Sequence, residues 1–217
     1  MKFQTVTGVL DCTPDRLIVA GWTGRDRAAV DHHIEELAAI GVPAPSTVPL
    51  YYQCAPALLT QEPEIQVLGH ETSGEAEPFL IRMDGLLWIG LASDHTDRAL
   101  ETLSVAASKQ ICAKPVADRL WSLDDIEPRL DKLVLKSWIL ENGDWTAYQE
   151  GTLSSILPLR QLITGAELVD GSAMLCGTLP AIGGVRPASD FRMSLIDPER
   201  DQAIDWRYRS SNLQIIS

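Results

Sequence analysis

Three carboxylates near the middle of the chain, Glu75, Glu77 and Asp94, fall where a single β-hairpin would gather them. The segment GEAEPFLIRMDGLLWIGLASD carries Asp84-Gly85 between two apolar alternating runs. That pair suits a two-residue type I′ turn, in which both residues take positive φ. With this turn Met83 faces Leu86, and the pairing continues outward as Ile81 with Trp88, Phe79 with Gly90, Glu77 with Ala92 and Glu75 with Asp94. All of these share one face, apolar near the turn and acidic at the open end, where opposite Cβ atoms are only about 5 Å apart. Like charges that close are offset either by a carboxyl that keeps its proton or by a hard cation held between the oxygens. An all-oxygen set favours Mg²⁺, Ca²⁺ or Mn²⁺ over zinc or copper. The plainer reading makes Glu75 and Glu77 a solvated strand end and Asp94 the start of a loop, and the charge pattern alone does not separate the two. The apolar remainder of the same face favours a site. Pro78 suits an edge or a bulge, and a bulge there would shift the register by one residue.

His33 and Glu36 are the second pair able to do chemistry. A step of 100° per residue along a helix sets His33 beside the apolar stripe of Val30, Ile34 and Leu37 and turns His32 away from it. Glu36, three residues on, neighbours His33, so the imidazole of a general base would have its second nitrogen oriented by a carboxylate. For an isolated His-x-x-Glu on a helix, an ordinary surface pair is the commoner meaning.

The elements that must position these groups follow from periodicity and turn chemistry. Two strands, Phe3 to Leu10 and Arg16 to Ala20, are expected on either side of Cys12-Thr-Pro-Asp. A helix is expected from Arg25 to Ile40, with Thr23 as N-cap and Gly41 and Pro43 as its stop. After Pro43, Pro45 and Pro49 the chain turns strand-rich, with Asn142-Gly143 marking a second hairpin. Short helical pieces are expected near Ser122, limited by Pro128, and near Leu159 to Ile163. Residues 172 to 206 read as strands separated by GTLPAIGGVRP and Asp197-Pro198. This predicts an α+β domain dominated by antiparallel sheet, with residues 1–217 forming one domain.

Composition narrows the function classes. A formal charge of −12 over 217 residues offers no basic stripe for phosphates, which argues against a nucleic acid or an anionic membrane as partner and favours a cation. No run approaches the roughly 18 uninterrupted apolar residues of a membrane span, and the start MKFQTVTGVLDCTPD shows no secretory pattern, so a cytoplasmic protein is expected. Cys12, Cys54, Cys112 and Cys176 are widely spaced and read as reduced packing residues. GTLPAIGGV matches neither a dinucleotide nor a phosphate loop, and Ser104, Ser108 and Ser154 lack a nucleophile elbow.

Taken in order, these pieces resemble the catalytic domain of the fumarylacetoacetate hydrolase superfamily over nearly the whole chain. LIVAGWTG precedes His33 and Glu36, VPLYYQ follows, and Glu75-Ala-Glu77 stands at the family's Glu-x-Glu strand. Asp94, Thr96 and Arg98 match an Asp-x-Thr-x-Arg phrase, and Lys109 lies in a lysine-bearing segment. Gln149 and Gly151 match a Gln-x-Gly stretch, and Thr178 sits in a Gly-Thr-Pro-like loop. The chain departs from the pattern in its bare Asp84-Gly85 connection, in Gln53 where lysine is common, and in Leu179 inserted before Pro180.

The resemblance implies a mixed β-sandwich roll of antiparallel hairpins and a few short helices, usually homodimeric. It implies that Glu75, Glu77 and Asp94 hold Mg²⁺ or a similar ion. His33 and Glu36 would serve as base and orienter, Lys109 as electrostatic support, and Arg98, Gln149 and Thr178 as substrate contacts. The implied activity is metal-dependent hydrolysis of a carbon-carbon bond in a small 2-oxo or 1,3-dicarbonyl acid. Decarboxylation, isomerisation or hydration of a related oxo acid through an enolate at the metal is the alternative. An inert protein that binds metal or a small anion is the reading from another class.

Overall fold

A computed structural model describes residues 1–39 and 44–216. The chain opens with a small hairpin, β1 (Lys2–Thr5) and β2 (Gly8–Asp11), followed by β3 (Arg16–Gly21), helix α1 (Arg27–Ala39) and β4 (Leu50–Cys54). Short β5 (Leu59–Thr60), β6 (Glu64–Leu68) and β7 (Thr72–Ser73) lead into the long hairpin of β8 (Ala76–Met83) and β9 (Leu86–Ser93). Next come β10 (Thr96–Asp97), α2 (Arg98–Glu101), α3 (Val105–Gln110), β11 (Lys114–Pro115), β12 (Trp121–Ser122) and α4 (Leu123–Ile126). A second long hairpin, β13 (Val134–Glu141) and β14 (Asp144–Thr152), precedes α5 (Leu159–Gly165), β15 (Ser172–Leu175), β16 (Asp190–Asp197) and β17 (Gln202–Leu213).

These strands build two mixed sheets, six-stranded in the order β12-β9-β8-β15-β3-β4 and five-stranded in the order β14-β13-β16-β17-β6. Pairing within them is antiparallel except between β15 and β3 and between β17 and β6. With few and short helices, the fold is α+β. The two sheets pack through Leu80, Ile89, Leu91 and Met174 of the first against Leu135, Met193, Leu195 and Ile204 of the second. The opposite face of the first sheet, with Phe79, Ile81, Trp88 and Leu175, packs against Phe3 and Leu10 of the small N-terminal hairpin. Both faces of β8 are therefore covered, and its first six residues are all buried.

The two Asp-Gly and Asn-Gly turns form as the sequence predicts, with positive φ at Asp84, Gly85, Asn142 and Gly143. In the first hairpin Met83 pairs with Leu86, Ile81 with Trp88, Phe79 with Gly90 and Glu77 with Ala92. Pro78 leaves this register unshifted. In an antiparallel strand a residue's N–H and C=O point the same way, and the Pro78 carbonyl accepts from the Cys176 amide (3.0 Å), just past the last β8–β15 pair of Phe79 and Leu175. The missing N–H thus falls where that ladder ends.

Two local expectations are corrected. Residues 3 to 10 form a hairpin rather than one strand, because Gly8 takes positive φ and Thr5 Oγ1 accepts from the Thr7 amide (3.2 Å) and donates to the Gly8 carbonyl (2.9 Å). The cap of α1 is Asp26, whose Oδ1 accepts from the Ala28 and Ala29 amides (3.0 and 3.2 Å), whereas Thr23 is buried beside Gly177. The helix stop expected at Gly41 and Pro43 lies outside the described residues. Among the described residues no helix is long and apolar enough to cross a membrane. All four cysteines are buried free thiols.

Candidate metal centre

The open end of the β8–β9 hairpin brings Glu75, Glu77 and Asp94 together, each offering an oxygen within 4.8 Å of the others. The pairing of Glu75 with Asp94 is fixed by the Asp94 amide, which donates to the Glu75 carbonyl at 2.9 Å. Glu77 and Asp94 are buried and Glu75 is half-buried, so the cluster meets solvent on the Glu75 side. Glu77 Oε2 accepts from the Gly177 amide (2.7 Å), which leaves its other oxygen available to a ligand. Gly177 has positive φ, and a Cβ there would collide with Thr23 Oγ1, so the loop after β15 can approach Glu77 only with glycine at this position.

Cations surround the acids. Lys109, buried in the last turn of α3, donates to Asp94 Oδ2 and lies 5.8 Å from the centre of the Tyr52 ring. Lys114, on β11 and fully buried, contacts Asp94 Oδ1 at 2.9 Å and donates to the His95 carbonyl at 2.5 Å. Arg98 starts α2, where its guanidinium donates to Ser73 Oγ (2.7 Å) and Glu101 Oε2 (2.8 Å) and reaches within 3.4 Å of Glu75 Oε2. Gln149 binds from the second sheet: its Oε1 accepts from the Ala76 amide (2.8 Å) and Ser137 Oγ (2.7 Å), and its amide donates to Thr178 Oγ1 (2.5 Å) and the Leu179 carbonyl (2.8 Å). Thr178 Oγ1 in turn donates to the Ala76 carbonyl at 2.7 Å. Gln149 and Thr178 therefore grip the backbone between the two glutamates.

His33 and Glu36 lie on α1, and their side chains fall outside the described part of the structure. The groups that sequence reasoning misses are Lys114 and a buried chain of hydroxyls around His95. The His95 ring nitrogens meet Tyr208 Oη (3.0 Å) and Thr72 Oγ1 (2.9 Å), and Tyr208 Oη also meets Ser93 Oγ (2.8 Å). The backbone on both sides of Asp94 is thus tied to β17 and β7. Tyr208 stands 113 residues from His95, so no local pattern announces it. For Lys114 the sequence offers one sign, a lone lysine inside the apolar run ICAKPVA.

Burial is the largest influence on Glu77 and lifts its carboxyl well above the usual range, with the Asp94 charge adding to the rise. Burial acts the same way on Asp94, but Lys109 and Lys114 outweigh it and hold that carboxyl below the usual range. Burial opposes the Lys109 ammonium, yet Asp94, Glu75 and Glu101 outweigh it and keep the group charged. His95 is pushed down to about 3 by burial and by the Lys114 and Arg98 charges, so its imidazole is neutral. The donor set fits a hard divalent cation: three carboxylates contribute oxygens, and a carboxylate oxygen that accepts from an ammonium keeps further acceptor capacity.

The fold is shared with solved structures. The crystal structure of Cg1458 superposes with a TM-score of 0.64 at 16% sequence identity, covering 95% of this chain and 81% of that one. The apo form of 2-keto-3-deoxy-D-arabinonate dehydratase gives 0.66 at 14% identity, covering 95% and 76%. The same dehydratase complexed with magnesium and 2,5-dioxopentanoate gives 0.63 at 13% identity, covering 97% and 78%. No curated protein matches the sequence significantly. Residues 20–208 match the family described as "Protein of unknown function (DUF2848)".

Proposed function

The chain belongs to the DUF2848 family, and from its carboxylate cluster we propose a divalent-metal-dependent enzyme that acts on a small oxo acid, built as a divergent branch of the fumarylacetoacetate hydrolase superfamily. The observation that carries this reading is the convergence of Glu75, Glu77 and Asp94 at the buried end of one hairpin, with the Lys109 ammonium on Asp94. Glu75, Glu77 and Asp94 would hold Mg²⁺ or Mn²⁺. Such an ion, when bound, polarises a carbonyl and offsets the negative charge of an enolate.

The chain's own groups supply the rest. Lys109 stays an ammonium, which suits electrostatic support of developing negative charge and does not suit an amine nucleophile. Arg98, charged and held by Ser73 and Glu101 beside Glu75, places a second cation on the side that meets solvent, where an acid's carboxylate would enter. Gln149 and Thr178 fix the backbone that carries Glu75 and Glu77. On α1, His33 would take a proton from water while Glu36 orients its imidazole, which gives hydrolytic carbon-carbon cleavage.

A second reading, dehydration of a 2-oxo-3-deoxy sugar acid, is favoured by the similarity to a dehydratase complexed with magnesium and an oxo acid. Product analysis by NMR separates the two. Hydrolysis of an acylpyruvate yields two smaller acids, and dehydration of a deoxy sugar acid yields one acid and water. A Mn²⁺-loaded protein that turns over neither class, or whose turnover is unchanged in Glu77→Gln, sinks the enzyme reading.

A further inference from the structure

Lys114 is among the largest fully buried side chains and belongs to no motif in the sequence. Its ammonium is taken up by protein groups, Asp94 Oδ1 at 2.9 Å and the His95 carbonyl at 2.5 Å. The His95 ring is itself fixed by Tyr208 and Thr72, and Tyr208 also reaches Ser93, so this ammonium joins a buried frame around Asp94. Gly74 belongs to the same frame, since a Cβ there would collide with Tyr208 Oη and Ser93 Oγ.

Cations also crowd the cluster. Glu75, Glu77 and Asp94 contribute three carboxyl groups, and Lys109, Lys114 and Arg98 stand against them as three cations, with Arg98 shared with Glu101. A divalent ion entering this cluster meets a buried positive charge on an oxygen of its own ligand, and like charges at that range in a poorly solvated site repel strongly. The same ammonium holds Asp94 Oδ1 when no ion is bound, while Lys109 holds Oδ2, so neither oxygen of the buried carboxylate is left unpaired.

We propose that Lys114 is a positioning residue that holds Asp94 in place and sets a ceiling on the affinity of the carboxylates for a divalent cation. This rests on the reading of Glu75, Glu77 and Asp94 as metal ligands. Replacing Lys114 by a neutral side chain removes the repulsion and frees Asp94 Oδ1, and because Lys109 still holds Oδ2 in place the net effect tightens metal binding. A lysine that served packing alone would, when replaced, loosen the site and weaken binding.

The test is Mn²⁺ titration of the chelator-treated full chain by calorimetry, comparing wild type, Lys114→Met, Lys114→Gln and the surface control Lys136→Met. Both Lys114 variants are expected to bind about tenfold more tightly or better, and Lys136→Met to match wild type. Equal or weaker binding by folded Lys114 variants, or equal tightening in Lys136→Met, overturns the proposal while leaving the metal reading intact. Wild type and folded variants that all fail to bind Mn²⁺ overturn both. If the neutral variants unfold in chelator, refolding on addition of Mn²⁺, read by circular dichroism, supports the proposal, and no refolding overturns it.

Discussion

The two long hairpins share a turn and differ in what they do with it. Asp84-Gly85 and Asn142-Gly143 both take positive φ, and each joins two long antiparallel strands. From the first turn to the carboxylates, β8 and β9 pair without interruption, so simple alternation carries Glu77 to the same face as Phe79 and Ile81. The second hairpin has a bulge between Ser137 and Trp138. Trp145 lies on the outer face against Arg192 and Arg207, and strict alternation would send Gln149 outward with it. The bulge instead pairs Gln149 with Ser137, so consecutive Tyr148 and Gln149 are both buried and Gln149 reaches across to Ala76. One hairpin supplies the carboxylates by regularity, and the other braces them by breaking it.

That contrast can be tested in order of expected effect. Asp94→Asn removes the counter-charge of two buried lysines, and urea unfolding is expected to show a loss of about 3–5 kcal/mol together with loss of Mn²⁺ binding. Glu77→Gln keeps an acceptor for the Gly177 amide, so stability should change by less than about 1 kcal/mol, while Mn²⁺ affinity falls roughly a hundredfold. Gln149→Leu leaves the Ala76 amide and the Leu179 carbonyl without their partner and should cost about 2 kcal/mol in the same unfolding assay. A cost near zero would mean that the bulge is incidental to the brace. Gly85→Ala and Gly143→Ala each force alanine into positive φ with nothing within 4 Å of the new Cβ, so each should cost about 1–2 kcal/mol and the two should agree. A large difference would show that the turns are not equivalent.

Legibility in the sequence follows the same division. The register from Met83 to Glu75 is readable because the turn pair fixes where pairing starts and a period of two does the rest. The small hairpin at residues 2–11 is not, because its turn rests on Gly8 and Thr5 hydrogen bonds inside a run that reads as one strand. Asp26 and Thr23 are both good cap residues in sequence, and only burial of Thr23 against Gly177 decides between them. Gln149 and Thr178 are reached through family resemblance alone, since a bulge is invisible to alternation. Lys114, His95 and Tyr208 come together from distant segments and leave no shared local pattern to find.

The contact between the Gly177 amide and Glu77 has a consequence in time. The β8–β9 hairpin closes over a two-residue turn, whereas its completing amide lies 100 residues further along the chain. Nearby pairings form fast and distant ones slowly. During synthesis the whole hairpin is therefore made well before β15 can add between β8 and β3, and for that interval Glu77 lacks the Gly177 amide and the three acids lack the enclosure of the finished fold.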